Sequence, residues 1–259
     1  MKIIISPAKK MRADCDDLPT ASEPAYLDRA QEVLDWLRTL SYDQAKALWT
    51  CSDAIASPAY DQLQAADLSG PTVPAVLSYD GIAFTYMAAG VMEEAQLGYL
   101  QDHLVILSAL YGALRPFDGV VPYRLEMQER AHVAGTRNLY EYWGDAAYRA
   151  AMDEDRVVVN LASKEYSRMV GRWLRPGDRM VTCTFASEVA GRLVQKGVYC
   201  KMARGEMVRY MAVHGVERPE DLVGFDSPDW RFREDLSQPD ELVFVRKAQA
   251  CQRFLTLLA

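Results

Sequence analysis

Three apolar runs of the sequence end alike. Ile3-Ile4-Ile5-Ser6 meets Pro7-Ala8-Lys9-Lys10, Val105-Ile106-Leu107-Ser108 leads towards Arg115, and Val157–Leu161 leads into Ala162-Ser163-Lys164. Each run delivers a hydroxyl, with fixed positive charge a few residues on. Such groups at strand ends suit phosphate oxygens, and a helix beginning at Ala162-Ser163 would add backbone N–H donors. Two carboxylates share these neighbourhoods: Glu126 near Tyr123 and Arg124, and Glu165 between Lys164 and Tyr166. A carboxylate kept ionised by an adjacent cation can serve as a general base, and it can equally serve only to orient that cation. Both roles stand open at this point.

The elements that must position these groups can be read from periodicity. Lys2–Ser6 and Val157–Leu161 are β-branched runs, and Leu104–Ser108 is continuously apolar, the pattern of strands covered on both faces. Val73–Leu77 and Met180–Phe185 are further strand candidates. Residues 25–68 carry helical spacing through Leu27, Ala30, Val33, Leu34 and Leu37, then through Ala45, Leu48 and Trp49 after a Ser41 cap,. Helices are also expected over 93–103, over 138–152 as one aromatic helix, and over 199–214, where Gly205 reads as a mild interior cost. Trp230–Arg233 and Leu242–Val245 flank a Ser-Gln-Pro-Asp turn and read as an antiparallel hairpin. Parallel strands bring their carboxyl ends to one edge, and ligands of open α/β sheets sit beyond that edge. The expected fold is therefore a single mixed α/β domain over residues 1–259, with a mostly parallel central sheet, flanking helices and a C-terminal hairpin. The Leu104–Ser108 strand is expected at the centre of the three converging ends.

Composition narrows the function classes. Half of the 259 residues are hydrophobic and a quarter are charged, so the chain can bury a sizeable core. No stretch is apolar for long enough to span a bilayer, and the short run in MKIIISPAKK argues against a signal peptide. Five cysteines, Cys15, Cys51, Cys183, Cys200 and Cys251, are scattered and odd in number, which points to a reduced, cytoplasmic protein. Cys200 beside Lys201 is a candidate for a lowered thiol pKa. His103, His132 and His214 lie far apart, no Gly-rich phosphate loop occurs, and neither a metal nor an organic cofactor is expected,. The net charge of -7 disfavours nucleic acid as a whole, but residues 156–214 hold eleven Lys/Arg against four Asp/Glu. The field at a site is local, so a basic face stands beside the plainer alternative that this segment neutralises the acidic helices.

Several motifs carry a resemblance. ISPAK at Ile5–Lys9, LSALYGALRPFD at Leu107–Asp118, PYRLEM at Pro122–Met127, LYEYWGD at Leu139–Asp145, NLASKEY at Asn160–Tyr166 and YCKMARGEMVRYM at Tyr199–Met211 closely resemble the YaaA family of bacterial peroxide-stress proteins. The resemblance implies a mixed α/β domain of unusual topology with a positively charged cleft, DNA binding, and an indirect limiting of iron-driven damage under peroxide stress. It also implies a helix-hairpin-helix element, for which the SALYGAL turn is the nearest match. Carried onto matching positions, it places Lys9, Arg115, Arg124, Lys164, Lys201, Arg204 and Arg209 along the cleft. With the strand-end groups, the candidate phosphate-binding set becomes Ser6, Lys9, Ser108, Tyr111, Gly112, Arg115, Tyr123, Arg124, Ser163, Lys164, Lys201, Arg204 and Arg209.

The leading expectation is a cytoplasmic DNA-binding protein of the peroxide stress response that grips the phosphate backbone. The alternative is an enzyme acting on a nucleotide or nucleobase in the same cleft, with Glu126 and Glu165 as its candidate catalytic residues. The partner is thus DNA or a phosphate-bearing small molecule, with no membrane. A third reading is a scaffold in which Arg168, Arg172 and Arg175 pair with Glu32, Asp35 or Asp43.

Overall fold

Lys2–Ile5 (β1) places three consecutive isoleucines in the interior, as a strand covered on both faces requires. The computed structural model describes residues 1–14, 18–225 and 227–247; Cys15 and Cys251 lie outside them. β1 pairs in parallel with Leu104–Ser108 (β2) on one side and with Val157–Leu161 (β4) on the other. Gly112–Leu114 (β3) folds back antiparallel on β2, with Ser108 opposite Gly112. Beyond β4 come Arg179–Val189 (β5) and Glu241–Arg246 (β7), both parallel, and Trp230–Phe232 (β6) closes the edge antiparallel to β7. The sheet order is β6-β7-β5-β4-β1-β2-β3, with Arg192–Val194 paired on the far end of β5. Mostly parallel strands and a C-terminal antiparallel pair are as expected, but the centre of the three converging strands is β1 and not β2.

The helices cover both faces of this sheet's core residues and form a separate layer beside the charged loop. Leu27–Arg38 (α1) buries Ala30, Val33, Leu34 and Leu37 at the spacing read from the sequence. Tyr42–Trp49 (α2) starts at Ser41, whose hydroxyl accepts from Gln44 N while the Gln44 side chain accepts from Ser41 N, a capping box. Asp53–Ala65 (α3) completes the layer. Ile82–Met87 (α4), Glu94–His103 (α5), Lys164–Gly171 (α8) and Gly197–His214 (α9) pack closer to the strands. The aromatic segment is two short helices, Leu139–Trp143 (α6) and Ala146–Ala151 (α7). Gly144, at φ +55°, breaks it.

Three further expectations are corrected. Only Val73–Pro74 of the Val73–Leu77 run is extended, paired with Gly119–Val120; Ala75–Ser78 is a helical turn begun by Pro74. SALYGAL is a strand, a tight turn and a strand, so no helix-hairpin-helix forms there. Gly112 takes φ +74° and abuts the Trp143 ring, where an added Cβ would come within 2.7 Å, so its role is the turn. Gly205 is a close approach of helices: a Cβ there would fall 2.0 Å from Ala83 O of α4.

Candidate functional site

The strand order reverses direction beside β1. The chain leaves β1 for β2 on one side and leaves β4 for β5 on the other, so the crevice beyond the carboxyl ends of β1 and β4 is the topological switch point of the sheet. Ser6 and Ser163 tie these two ends together. Ser163 N donates to Ser6 Oγ at 2.8 Å, and the two hydroxyls are 3.2 Å apart. Ser163 is also the N-cap of α8 and accepts from Tyr166 N.

A crevice of about 490 Å³ opens at this point, walled by the Ser6–Lys10 turn, the start of α4, Glu126, Gln128, Ser163, Glu165, Tyr166, Lys201 and Arg204. Its volume lies in the small-ligand range. Two of its four cations are matched by carboxylates: Lys9 Nζ is 2.5 Å from Glu126 and Lys10 Nζ is 2.7 Å from Asp80. Glu126 therefore pairs with Lys9 of the β1 turn and not with its sequence neighbour Arg124. Glu165 accepts from Gln128 N at 3.1 Å, and Glu129 accepts from Glu126 N at 3.2 Å, so two carboxylates hold the 126–129 loop by its backbone. Burial pushes Glu129 up to about 7, with the Glu126 charge adding to the effect. Burial and the same Glu126 charge also raise Glu165.

Two donors in this crevice have no acceptor among the described residues. Tyr166 OH and Arg204 Nε are both buried without a hydrogen-bond partner. Tyr166 is 3% exposed, and burial holds its phenol well above the usual range. The ionisable groups nearest Arg204 are the thiols of Cys200 and Cys183, not carboxylates, and burial lowers the guanidinium pKa. Burial raises both of those thiols as well, Cys183 to about 12. The expectation of an activated Cys200 is thus reversed: its Sγ donates to Phe185 O from inside the core.

The other candidates fall elsewhere. Ser108, Tyr123 and Tyr79 form a buried hydroxyl chain at 2.7 and 2.9 Å, and Tyr111 N donates to Ser108 Oγ. Burial pushes Tyr123 up to about 12, and Tyr111 OH accepts from Val121 N. These groups brace the loop from beneath. Arg115 follows β3 back to the amino-terminal edge of the parallel strands, opposite the crevice, where it pairs with buried Asp118. Arg124 lines a small internal cavity with Leu34, Leu37 and Trp49, its Nε buried and unpartnered among the described residues. Arg209 donates to Ala88 O behind α4.

Lys164 belongs to a second depression of about 780 Å³ that shares Gln128 and Glu165 with the crevice. Arg130, Arg137 and Arg168 line it with Lys164, and Arg172 continues the row. Arg168 stacks over Tyr140 and Arg172 over Trp173, while Arg175 stacks over Tyr148. A third groove of about 940 Å³ adjoins the Lys9–Glu126 pair and reaches Trp36 and His132. Tyr166, Gln128, Glu129, Arg130, Arg168 and Arg172 are absent from the candidate set read from the sequence. A hydroxyl on the buried face of α8, beside Met169 and Val170, was the available signal for Tyr166. Among the described residues no group of three or more His, Cys, Asp or Glu side chains is placed to hold a metal ion, and no helix is long and apolar enough to cross a membrane.

Comparison with known proteins gives one answer throughout. A family model described as peroxide stress protein YaaA matches residues 1–236. A UPF0246 protein of Agathobacter rectalis is 50% identical, covering 95% of this chain and 99% of the relative. UPF0246 proteins of Lachnoclostridium phytofermentans and Lactiplantibacillus plantarum are 44% and 47% identical, each over 95% of this chain and over 96% and 99% of the relatives.

Proposed function

The chain belongs to the YaaA family of peroxide stress proteins, and from that premise we propose that it acts in the peroxide stress response by binding DNA and admitting one nucleotide of the strand to the switch-point crevice. One observation carries the reading. The row of Arg130, Lys164, Arg168 and Arg172 shares the Gln128–Glu165 wall with a crevice of about 490 Å³. A backbone lying along that row would neutralise phosphates without reading sequence. A compartment of that volume suits a single flipped or unpaired nucleotide, as enzymes and binders that reach one base require. Lys9 and Lys10 of the crevice are ion-paired, so the flanking phosphates of a bound strand lie along the arginine row beside it.

Fluorescence anisotropy on labelled oligonucleotides tests this. Binding is expected to weaken with salt at a log–log slope of about -0.7 per phosphate on single strands and about -0.9 on duplex. Single-stranded and mismatched substrates should bind more tightly than fully paired duplex. The double substitution Arg168→Ala and Arg172→Ala should reduce the slope and weaken all sequences alike. Absence of salt-dependent binding at low ionic strength refutes the reading.

A second reading is favoured by the carboxylates. Glu126 is ion-paired with Lys9, whereas burial and Glu126 itself raise Glu165. A raised carboxyl beside an ion-paired carboxylate can divide the roles of acid and base. The crevice would then act chemically on the nucleotide it holds. Glu126→Gln retaining DNA affinity while losing product formation supports this reading; the absence of product with every nucleotide and oligonucleotide offered refutes it.

A further inference from the structure

We propose that the crevice takes its nucleotide in one orientation, with the phosphate at Lys201 and Arg204 and the base at Glu165 and Tyr166, and so selects cytosine or adenine over thymine. The inference rests on the single-nucleotide part of the function proposed above. It begins with the polarity of the two ends. Lys201 and Arg204 lie three residues apart on α9 and both line the crevice, the spacing that puts side chains on one helix face. Arg204 has no carboxylate or carbonyl partner among the described residues, and its Nε is buried. A guanidinium Nε–H removed from water without an acceptor is costly, and an anion with paired oxygens is the ligand that relieves it. The next residue, Gly205, packs against the Ala83 backbone, which fixes the height of Arg204 over the crevice.

The other end is acceptor-rich. The Glu165 carboxylate accepts from Gln128 N at Oε1 and also feels the Met127 backbone N–H, and Glu126 lies close enough to raise it. Tyr166 OH lines the same compartment, 3% exposed and without an acceptor. Carboxylate acceptors beside one hydroxyl donor complement an exocyclic amine next to a ring nitrogen or carbonyl, the edge of cytosine or adenine. Thymine and uracil present a carbonyl where the amine would be, and that oxygen would face carboxylate. The reverse orientation would bring a phosphate against Glu126 and Glu165 and leave Arg204 unmatched.

Isothermal titration with dCMP, dAMP, dTMP and the matching nucleosides tests the orientation, with oligonucleotide anisotropy run on the same protein. The expected result is that dCMP or dAMP binds at least about tenfold more tightly than both dTMP and its own nucleoside. Arg204→Gln should remove the preference for nucleotide over nucleoside. Lys201→Ala, at an exposed position, should reduce it by about threefold to tenfold without disturbing the fold. Glu165→Gln should narrow the gap between dCMP and dTMP. Equal affinity for dTMP, or for nucleoside and nucleotide, overturns the inference. DNA binding without mononucleotide selection removes this inference and leaves the DNA reading intact. Mononucleotide selection without DNA binding does the opposite, and loss of both refutes both.

Discussion

Replacing Gly205 by alanine tests the helix crossing that sets the crevice wall. On an open helix face alanine stabilises over glycine by about 0.5–1 kcal/mol. At Gly205 the new Cβ would stand 2.0 Å from Ala83 O, 2.8 Å from Met87 N and 2.9 Å from Ala83 C. All three atoms are backbone, so no side chain can swing away, and α4 and α9 would have to part by about 1.4 Å to restore ordinary contact. Overpacking of this kind costs about 1–3 kcal/mol and sometimes more. Set against the propensity gain, a net loss of about 1–2 kcal/mol follows, or a fall in Tm of about 2–8 °C for a chain of this size. Thermal unfolding followed by circular dichroism reads it directly. Because α9 carries Lys201 and Arg204, nucleotide affinity should fall in the same variant at temperatures where it remains folded. An unchanged or higher Tm would refute the close approach, since that is the outcome for a glycine with room around it.

Glu129 gives a pH dependence of definite sign. In the fold its carboxyl stays protonated up to about 7, whereas in the unfolded chain it ionises near about 4.3. The unfolded state releases its proton first, so stability falls as pH rises from about 4.3 to about 7 and then levels. Glu129→Gln should remove that fall and be more stable than the native chain at pH 8, by up to about 3 kcal/mol, with no difference at pH 4; urea midpoints across that range check it. Arg115→Ala should leave nucleotide and DNA affinity unchanged, because Arg115 lies at the edge opposite the crevice and its side chain is 54% exposed. Asp118→Ala should cost about 2–3 kcal/mol in urea denaturation, since the buried carboxylate accepts from Arg115 N and Ser22 Oγ.

Much of the site was legible in the strands. Ser6 and Ser163 meet as the parallel alignment of IIIS and VVVNLAS requires, and Lys9 follows Ser6 to the same place. Arg115 was misplaced because a short apolar run followed by a charged loop reads the same whether or not the chain reverses between them. The reversal at 109–111 sends Arg115 back along β2, and Trp143 packing on Gly112, which fixes that turn, comes from a distant helix. Ser108, Tyr111 and Tyr123 were drawn into the candidate set by their neighbours, and only packing reveals that the Ser108 and Tyr123 hydroxyls bond one another while Tyr111 OH accepts from Val121 N. Tyr166 was overlooked for the converse reason: its spacing with Met169 and Val170 is that of a core position, and the sequence does not show that its hydroxyl lacks an acceptor. The ion pair of Lys9 with Glu126 joins residues from different strand ends, a pairing that local spacing cannot choose.

The central place of β1 has a consequence for how the molecule is made. Its isoleucines pair with residues roughly one hundred and one hundred and fifty positions further along the chain. During synthesis Lys2–Ile5 leave the ribosome long before either neighbouring strand exists, and the sheet cannot close around them until Val157–Leu161 has emerged. Such distant pairing makes folding slow and leaves an apolar strand without its edges in the interval. The switch-point crevice therefore cannot form before Ser163 has emerged, because until then Ser6 has nothing to meet.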